Sequence, residues 1–254
     1  MHTNETLIMS IIALPIVLCI VYILHFCSNK SVERDKNEMR DVLKIIAMVI
    51  VALEIVKNIY GLLNNYYSLL LPFQICSLFL VCLPLSTLFE QNKKVSKLFG
   101  ALSYSMGLMV SVAVVFLPVG IMEEAVVHVV KGNGNFFDWH SVIFHYLIVL
   151  FYTIQFTFRQ NKIEFFYFIL AGLVFVLHLS LVVTMTNLLQ TNFASFIQLS
   201  LGFRFFQSQG LWLHQVTLFV LMCLSFFVSL YTNYRLSNVK YRDLTSAKKE
   251  KLSF

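Results

Sequence analysis

Long apolar runs follow one another along the chain, separated by short polar stretches. Each run is close to the ~20 residues that a helix needs to cross ~30 Å of hydrocarbon. Seven spans are predicted in this way, namely Leu7–Cys27, Val42–Leu63, Leu69–Phe89, Leu98–Val119, Ser141–Phe158, Phe165–Met185 and Trp212–Tyr231. We interpret the first run as a retained helix, because it has no basic start and no clear small-residue cleavage site follows it.

The pattern therefore predicts an all-α, polytopic membrane helical bundle. Residues 1–235 form a single transmembrane domain in this interpretation, and residues 236–254 form a basic cytoplasmic tail. Within the fourth span, Ser103, Gly107 and Ser111 repeat every four residues. Such a stripe of small residues lets neighbouring helices approach closely.

The composition agrees with this architecture. Hydrophobic residues make up 58% of the 254 residues and charged residues only 13%, whereas an ordinary soluble domain has roughly 25% charged residues. A soluble chain of this length could not bury so much apolar surface in one core, but a bilayer can accommodate it. We therefore expect a multi-pass protein of the cell membrane.

Basic residues fall on one side of the predicted spans. Fifteen Lys and Arg residues lie in the loops after spans one, three and five or in the tail, and only Lys131 and Arg204 lie in loops on the other side. Because positive residues stay cytoplasmic, the N-terminus is predicted outside and the C-terminus inside. The net charge of +6 is explained by this topology, so no nucleic-acid partner is expected.

Motifs of soluble enzymes and metal sites are missing from the sequence. The five cysteines lie within or at the ends of spans, which argues against a disulfide framework. No paired Cys/His spacing typical of zinc and no glycine-rich phosphate loop occurs. We therefore expect neither a metal nor another cofactor.

The second predicted span carries charged residues inside hydrocarbon, where they are costly. Glu54 and Lys57 are three residues apart and so share a helix face, and Asn58 continues this polar stripe. Two interpretations remain open. The residues form either a structural ion pair between helices or a polar wall of a substrate cavity.

Other polar candidates come from the later spans. Cys76 lies ~10 Å below the outer end of the third span, and His145 lies ~7 Å into the fifth. His140 suits an interfacial position, and His178 and His214 lie in spans six and seven. Taken singly, a buried cysteine is usually a small hydrophobe, and a buried histidine is usually a packed, hydrogen-bonded one.

The depths of these residues are more informative than their identities. Six of them fall in the outer half of their predicted spans, namely Glu54, Lys57, Cys76, His145, His178 and His214. Scattered structural groups need not agree in depth, whereas the lining of one cavity would. The sequence therefore favours a single outward-facing polar site within the membrane.

The residues around Cys76 resemble a known family. Glu54 and Lys57, followed by the stretch Leu-Pro-Phe-Gln-Ile-Cys-Ser at residues 71–77, are similar to the YwaF-like integral membrane family, whose hallmark is an LPxHxC-like start to a middle helix. Phe-Phe at residues 136–137 and Thr-Asn-Phe at residues 191–193 resemble later landmarks of that family. The resemblance covers about residues 50–215.

Animal relatives of that family are described as cysteine-dependent acyltransferases that act on membrane phospholipids. The resemblance implies that Cys76 is the nucleophile, that His145 is the general base with His140 as the alternative, and that a membrane phospholipid is the substrate. The sequence departs from the family at Gln74, where many relatives have histidine. Candidate substrate-binding residues are Glu54, Lys57, Asn58, Gln74, His140, His178, Asn192 and His214.

Three classes of function follow from these observations. The first is a membrane enzyme for acyl transfer or lipid ester hydrolysis. The second is a transporter or binding protein for a small polar or lipidic solute, in which the same residues line the site without covalent chemistry. The third is a structural membrane subunit. The sequence predicts no particular oligomeric state.

Overall fold

The computed structural model describes residues 34–66, 74–89, 92–116, 122, 125–158, 163–190 and 210–251. Within these ranges the chain is all-helical and contains no strand. The helices are α1 (Arg34–Leu63), a 3-10 helix (Ile75–Leu78), α2 (Phe79–Thr87), α3 (Lys93–Phe116), α4 (Ala125–Val130), α5 (Phe136–Phe158), α6 (Phe165–Leu189) and α7 (Leu211–Lys251). The predicted first span, Leu7–Cys27, and the candidate residue Asn192 lie outside the described residues.

The membrane character of the helices agrees with the sequence. Among the described residues, four helical stretches are long and apolar enough to cross a bilayer, namely Lys93–Phe116, Phe136–Phe156, Phe165–Leu189 and Leu211–Leu236. They correspond to predicted spans four to seven. The prediction of an all-helical membrane protein is therefore confirmed, whereas the number of seven spans and the orientation stay predictions.

Helix α3 lies at the centre of the bundle. It packs against α2, α5, α6 and α7, and half of its buried residues are glycine, alanine or serine. A side chain at Gly107 would place its Cβ 2.9 Å from Cδ2 of Tyr152 on α5. The predicted stripe of small residues thus lies where α5 makes a close approach, as such stripes do in membrane bundles.

Pairs of side chains establish that neighbouring helices run antiparallel. Glu54 and Tyr60 of α1 lie opposite His140 and Phe136 of α5, so the end of α1 meets the beginning of α5. We call the end of the bundle formed by Leu63, Phe116, Phe136, Leu189 and Leu211 the outer end, after the predicted orientation. The opposite end is the inner end.

Helix α5 begins at a cap that also fixes the position of His140. The side-chain oxygen of Asn135 accepts hydrogen bonds from the backbone N–H groups of Phe137 (2.8 Å) and Asp138 (3.1 Å). In return, the Asp138 carboxylate accepts the N–H of Asn135 at 3.0 Å and lies 3.2 Å from Nδ1 of His128. This reciprocal arrangement satisfies free donors of the first turn. The helix therefore begins five residues earlier than predicted.

A group of buried polar residues joins three helices toward the inner end. Asn233 of α7 is fully buried, and its Nδ2 donates to the backbone carbonyl of Tyr104 on α3 at 3.1 Å. Its Oδ1 lies 3.4 Å from the hydroxyl of Tyr152 on α5, which donates to it. We call Tyr104, Tyr152 and Asn233 the inner network.

Candidate functional site

Glu54 lies between a lysine of its own helix and a histidine of α5. Its Oε1 accepts a hydrogen bond from Nζ of Lys57, three residues further along α1. Its Oε2 lies 3.4 Å from Nε2 of His140. The Lys57 and Glu54 side chains are only 15% and 10% exposed. The ion pair predicted on one face of α1 is therefore formed, and it extends to a second helix.

Aromatic side chains hold the ring of His140 in place. The ring stacks on Phe144 with centroids 5.6 Å apart, and Phe136 lies on its other flank at 6.5 Å. His140 is buried, and its Nε2 makes no hydrogen bond of normal geometry within the described part of the chain. Glu54 is thus the charged residue that faces it, and the distance between Nε2 and Oε2 is longer than that of a usual hydrogen bond.

Cys76 lies beside this charged group. It belongs to the 3-10 helix that precedes α2, and both Lys57 and Glu54 are close enough to act electrostatically on its thiol. The described chain has two further free cysteines, Cys82 and Cys223. Neither shows an interaction with a charged group among the described residues. Glu54 thus joins Lys57 to His140 by direct contacts, and the Cys76 thiol lies within electrostatic range of the two charges on α1.

His145 lies one turn further along α5 and has a different environment. Its Nδ1 is 2.7 Å from the backbone carbonyl of Ser141, and its ring packs edge-on against Phe144. The polar and ring contacts of His145 within the described residues are thus with α5 itself. The pairing of His145 with Cys76 stays a prediction, and His140 has the more direct link to the charged residues.

The 3-10 helix that carries Cys76 also contacts α6. The ring of His178 interacts with the backbone of Gln74, the residue immediately before this 3-10 helix, whereas the Gln74 side chain is exposed. His178 lies near the middle of α6, so it is deeper than His140. Its contact joins the Cys76 segment to α6.

The remaining candidates have separate positions. Asn58 follows Lys57, and its buried Oδ1 has no hydrogen-bond partner within the described residues. His214 is buried in the first turn of α7, a helix that packs against α3 and α6 rather than α1. Next to it, Gln215 and Asn187 of α6 exchange two amide hydrogen bonds of 2.8 and 3.3 Å. His214 therefore lies on a helix for which the structure shows packing against α3 and α6, away from the Glu54 group.

Unpartnered buried polar atoms gather in the outer half of the bundle. Within the described residues, five such side chains lie at or beyond the middle of their helices toward the outer end, namely Asn58, Ser111, His140, His178 and Thr186. A sixth, Gln155, lies on the inner side. Buried polar atoms without partners are rare, and a bound water or polar ligand usually satisfies them. Ser111 and Thr186 were missed because a lone hydroxyl in an apolar helix gives no signal in the sequence.

The chemistry available here is that of a thiol, an imidazole, a carboxylate and an ammonium group. Such a set can activate a nucleophile and transfer protons. Among the residues that the structure describes, no three His, Cys, Asp or Glu side chains are arranged to hold a metal ion. The site is thus suited to acid–base and nucleophilic chemistry by protein groups.

Comparison with known proteins gives one clear relationship. No curated protein and no solved structure matches the chain at a significant level. The sequence profile of the TMEM164 family, a family of transmembrane proteins, matches residues 1–231. This match includes every described helix up to the apolar part of α7 and every candidate site residue. The chain therefore belongs to the TMEM164 family.

Proposed function

We propose that this protein is a membrane enzyme that transfers or hydrolyses acyl groups of phospholipids, with Cys76 as its nucleophile. The observation that supports this most directly is the contact of Glu54 with both Lys57 and the buried His140, in a group of charges that reaches the Cys76 thiol electrostatically. A buried thiol without charged neighbours would be unreactive. With the predicted orientation, the reaction takes place in the outer half of the bilayer.

The proposed reaction has two acyl-transfer steps. A histidine accepts the proton of the Cys76 thiol, and the sulfur attacks the carbonyl carbon of a lipid ester. The ester C–O bond breaks, the lipid alkoxide takes the proton from the imidazolium, and the acyl group remains on Cys76 as a thioester. A lipid hydroxyl or water, deprotonated by the same histidine, then attacks the thioester and regenerates the thiol.

Lys57 and Asn58 provide polar groups for this reaction on the adjacent face of α1. Negative charge develops on the carbonyl oxygen as the sulfur attacks, and a positioned ammonium or amide N–H stabilises it. Because Lys57 is already paired with Glu54, its ammonium is held in place before substrate binds. Lys57 also supplies a positive charge near the thiol, which favours the reactive thiolate.

A covalent probe tests this proposal. Purified full-length protein in detergent is treated with a phospholipid that carries a reactive labelled acyl ester. Cys76→Ala is compared with the wild type and with Cys82→Ala, a buried cysteine on the neighbouring helix that serves as the matched control. We expect hydroxylamine-sensitive labelling of the wild type and Cys82→Ala, and none of Cys76→Ala. Labelling that is indifferent to Cys76 would exclude it as the nucleophile.

A transporter or binding protein for a polar or lipidic solute is the second candidate. It is favoured by the unpartnered polar atoms in the outer half of the bundle, since these could bind a solute without covalent chemistry. In that case Cys76→Ala would retain function, whereas changes at Glu54 and Lys57 would abolish it. If Cys76→Ala is silent and loss of Glu54 only lowers the amount of folded protein, the structural-subunit interpretation is favoured instead.

A further inference from the structure

We infer that Glu54 is a positioning residue that makes His140, rather than His145, the base for Cys76. This inference rests on the proposed function, because it assigns the proton acceptor of the same reaction. Its basis is the division of one carboxylate between two partners on two helices. Oε1 is paired with Lys57, and Oε2 faces Nε2 of His140 at 3.4 Å.

The carboxylate determines which ring nitrogen of His140 can accept a proton. A neutral imidazole has one N–H donor and one acceptor nitrogen. Since Nε2 faces a carboxylate oxygen, the proton belongs on Nε2 and the lone pair on Nδ1. The ring stacks on Phe144, and Phe136 lies 6.5 Å away, so aromatic contacts favour the orientation in which Nε2 faces Glu54. The distance of 3.4 Å can shorten when substrate binds, as catalytic hydrogen bonds commonly do.

His145 lacks this support. Its Nδ1 is bound to the neutral backbone carbonyl of Ser141, which fixes the ring but contributes no negative charge. A base that accepts a proton becomes an imidazolium, and in a buried site the cation needs a nearby carboxylate. Glu54 supplies that charge to His140. The Glu54 carboxylate thus acts on His140 in two ways. It selects the tautomer with the proton on Nε2, and it stabilises the imidazolium that forms when Nδ1 accepts a proton.

The charged and titratable groups around His140 come from several helices. Glu54 and Lys57 lie on α1, and His145 lies on α5 itself. Cys76, on the 3-10 helix, is within electrostatic range of Glu54 and Lys57. The short helix α4, which packs against α5, contributes His128, whose Nδ1 faces Asp138 at the cap rather than His140. Glu54 is therefore the carboxylate that faces His140 among the described residues.

The rate of Cys76 alkylation by iodoacetamide, measured as a function of pH, tests the inference. The reaction is followed on the peptide that contains Cys76 by mass spectrometry, in full-length protein in detergent. We expect Glu54→Gln and His140→Asn each to lower the rate at neutral pH by about 10-fold to 100-fold, a part of the ~10²–10⁴ that a general base contributes. Both variants should show the same altered pH profile, and their combination should be no slower than either alone.

Two further variants separate positioning from a merely structural role. Glu54→Asp keeps the carboxylate and should restore part of the wild-type profile. If Glu54→Gln alone does not fold, Glu54→Gln combined with Lys57→Met is compared with Lys57→Met alone, so that the difference between the two isolates the effect of Glu54. His145→Asn is the matched control on α5 and should keep the wild-type profile. The inference is overturned if His145→Asn reproduces the defect and His140→Asn does not, or if Glu54→Gln leaves the profile unchanged.

The outcome can be distinguished from failure of the proposed function. Alkylation by iodoacetamide needs a reactive thiol but no lipid substrate. If Cys76 is alkylated in a Glu54-dependent manner and never carries an acyl group, the lipid reaction is wrong and the positioning role stands. If Cys76 is acylated and its alkylation is independent of Glu54, the reaction stands and the positioning role is wrong.

Discussion

The outer and inner halves of the bundle both contain buried polar side chains, but these are partnered differently. In the inner network, Asn233 donates to Tyr104 and accepts from Tyr152, so one amide joins three helices. Toward the outer end, His140 and Asn58 each leave a buried polar atom unbonded among the described residues. A satisfied network contributes to stability, whereas unsatisfied groups in a stable protein indicate a place for a ligand. Two features depart from this division, since Gln155 on the inner side is unpartnered and Asn187 and Gln215 near the outer end are paired.

Among the substitutions that test this difference between the two halves, the largest effect on Cys76 labelling is expected at His140. His140→Asn should lower the rate of acyl labelling of Cys76 by about 10²–10⁴-fold, because the general base is lost. Its melting temperature in detergent should fall less than that of Lys57→Met, because the Lys57–Glu54 ion pair is retained. A variant that melts early and still labels Cys76 would contradict the division between the two halves.

Removing Lys57 alone should have the largest effect on stability. Lys57→Met leaves the Glu54 carboxylate buried without its ion-pair partner, and breaking such a pair costs about 3–5 kcal/mol of unfolding free energy. The double variant with Glu54→Gln removes both charges and should recover most of this loss. The stabilities of the two variants are compared by heating each in detergent and measuring how much monodisperse protein remains at each temperature. If the double variant is less stable than Lys57→Met, the ion pair is not the cause.

The inner network should show the reverse behaviour. Asn233→Leu removes both hydrogen bonds and leaves the Tyr152 hydroxyl and the Tyr104 carbonyl without this partner, at a cost of about 1–3 kcal/mol. Labelling of Cys76 in the protein that remains folded should be as fast as in the wild type. A labelling rate that falls at a temperature where the variant is fully folded would show that the two halves are coupled.

The smallest effect is expected at the beginning of α5. Asn135→Ala removes the side-chain acceptor for two backbone N–H groups and should cost about 1 kcal/mol of unfolding free energy. Asn135→Ser keeps an acceptor and is the matched control. Because the cap determines where His140 lies, Cys76 labelling should also slow modestly in Asn135→Ala. Equal stability of the two variants would show that the cap contributes nothing.

Apolar runs were sufficient to predict the four long apolar helices among the described residues, and a spacing of three placed Glu54 and Lys57 on one face of α1. Both depend on residues close in sequence, so a run of about 20 apolar residues or a spacing of three is visible directly. Helix ends were predicted less well. The fifth span was predicted to begin at Ser141, but the Asn135 cap starts α5 at Phe136. The third was predicted as one helix from Leu69, whereas its described part begins as a 3-10 helix at Ile75.

The set of residues that meet at the site could not be predicted from spacing along the sequence. Which of His140 and His145 faces α1 depends on how two helices distant in sequence pack against each other, and a five-residue spacing on α5 does not decide this. The inner network was missed for a related reason. Asn233 lies near the end of an apolar run, and one of its partners is a backbone carbonyl, which every residue possesses.

The register between α6 and α7 has a consequence for how the protein assembles. Asn187 pairs with Gln215 near one end, Phe175 stacks on Phe226 at 4.0 Å in the middle, and Phe168 lies 5.4 Å from Tyr234 near the other. A slip of one turn, ~5.4 Å, would break all of these contacts together. Two helices inserted separately into a bilayer would therefore find a single alignment by themselves, as two-stage assembly requires. Separate expression of residues 1–190 and 210–254 should still yield a paired complex.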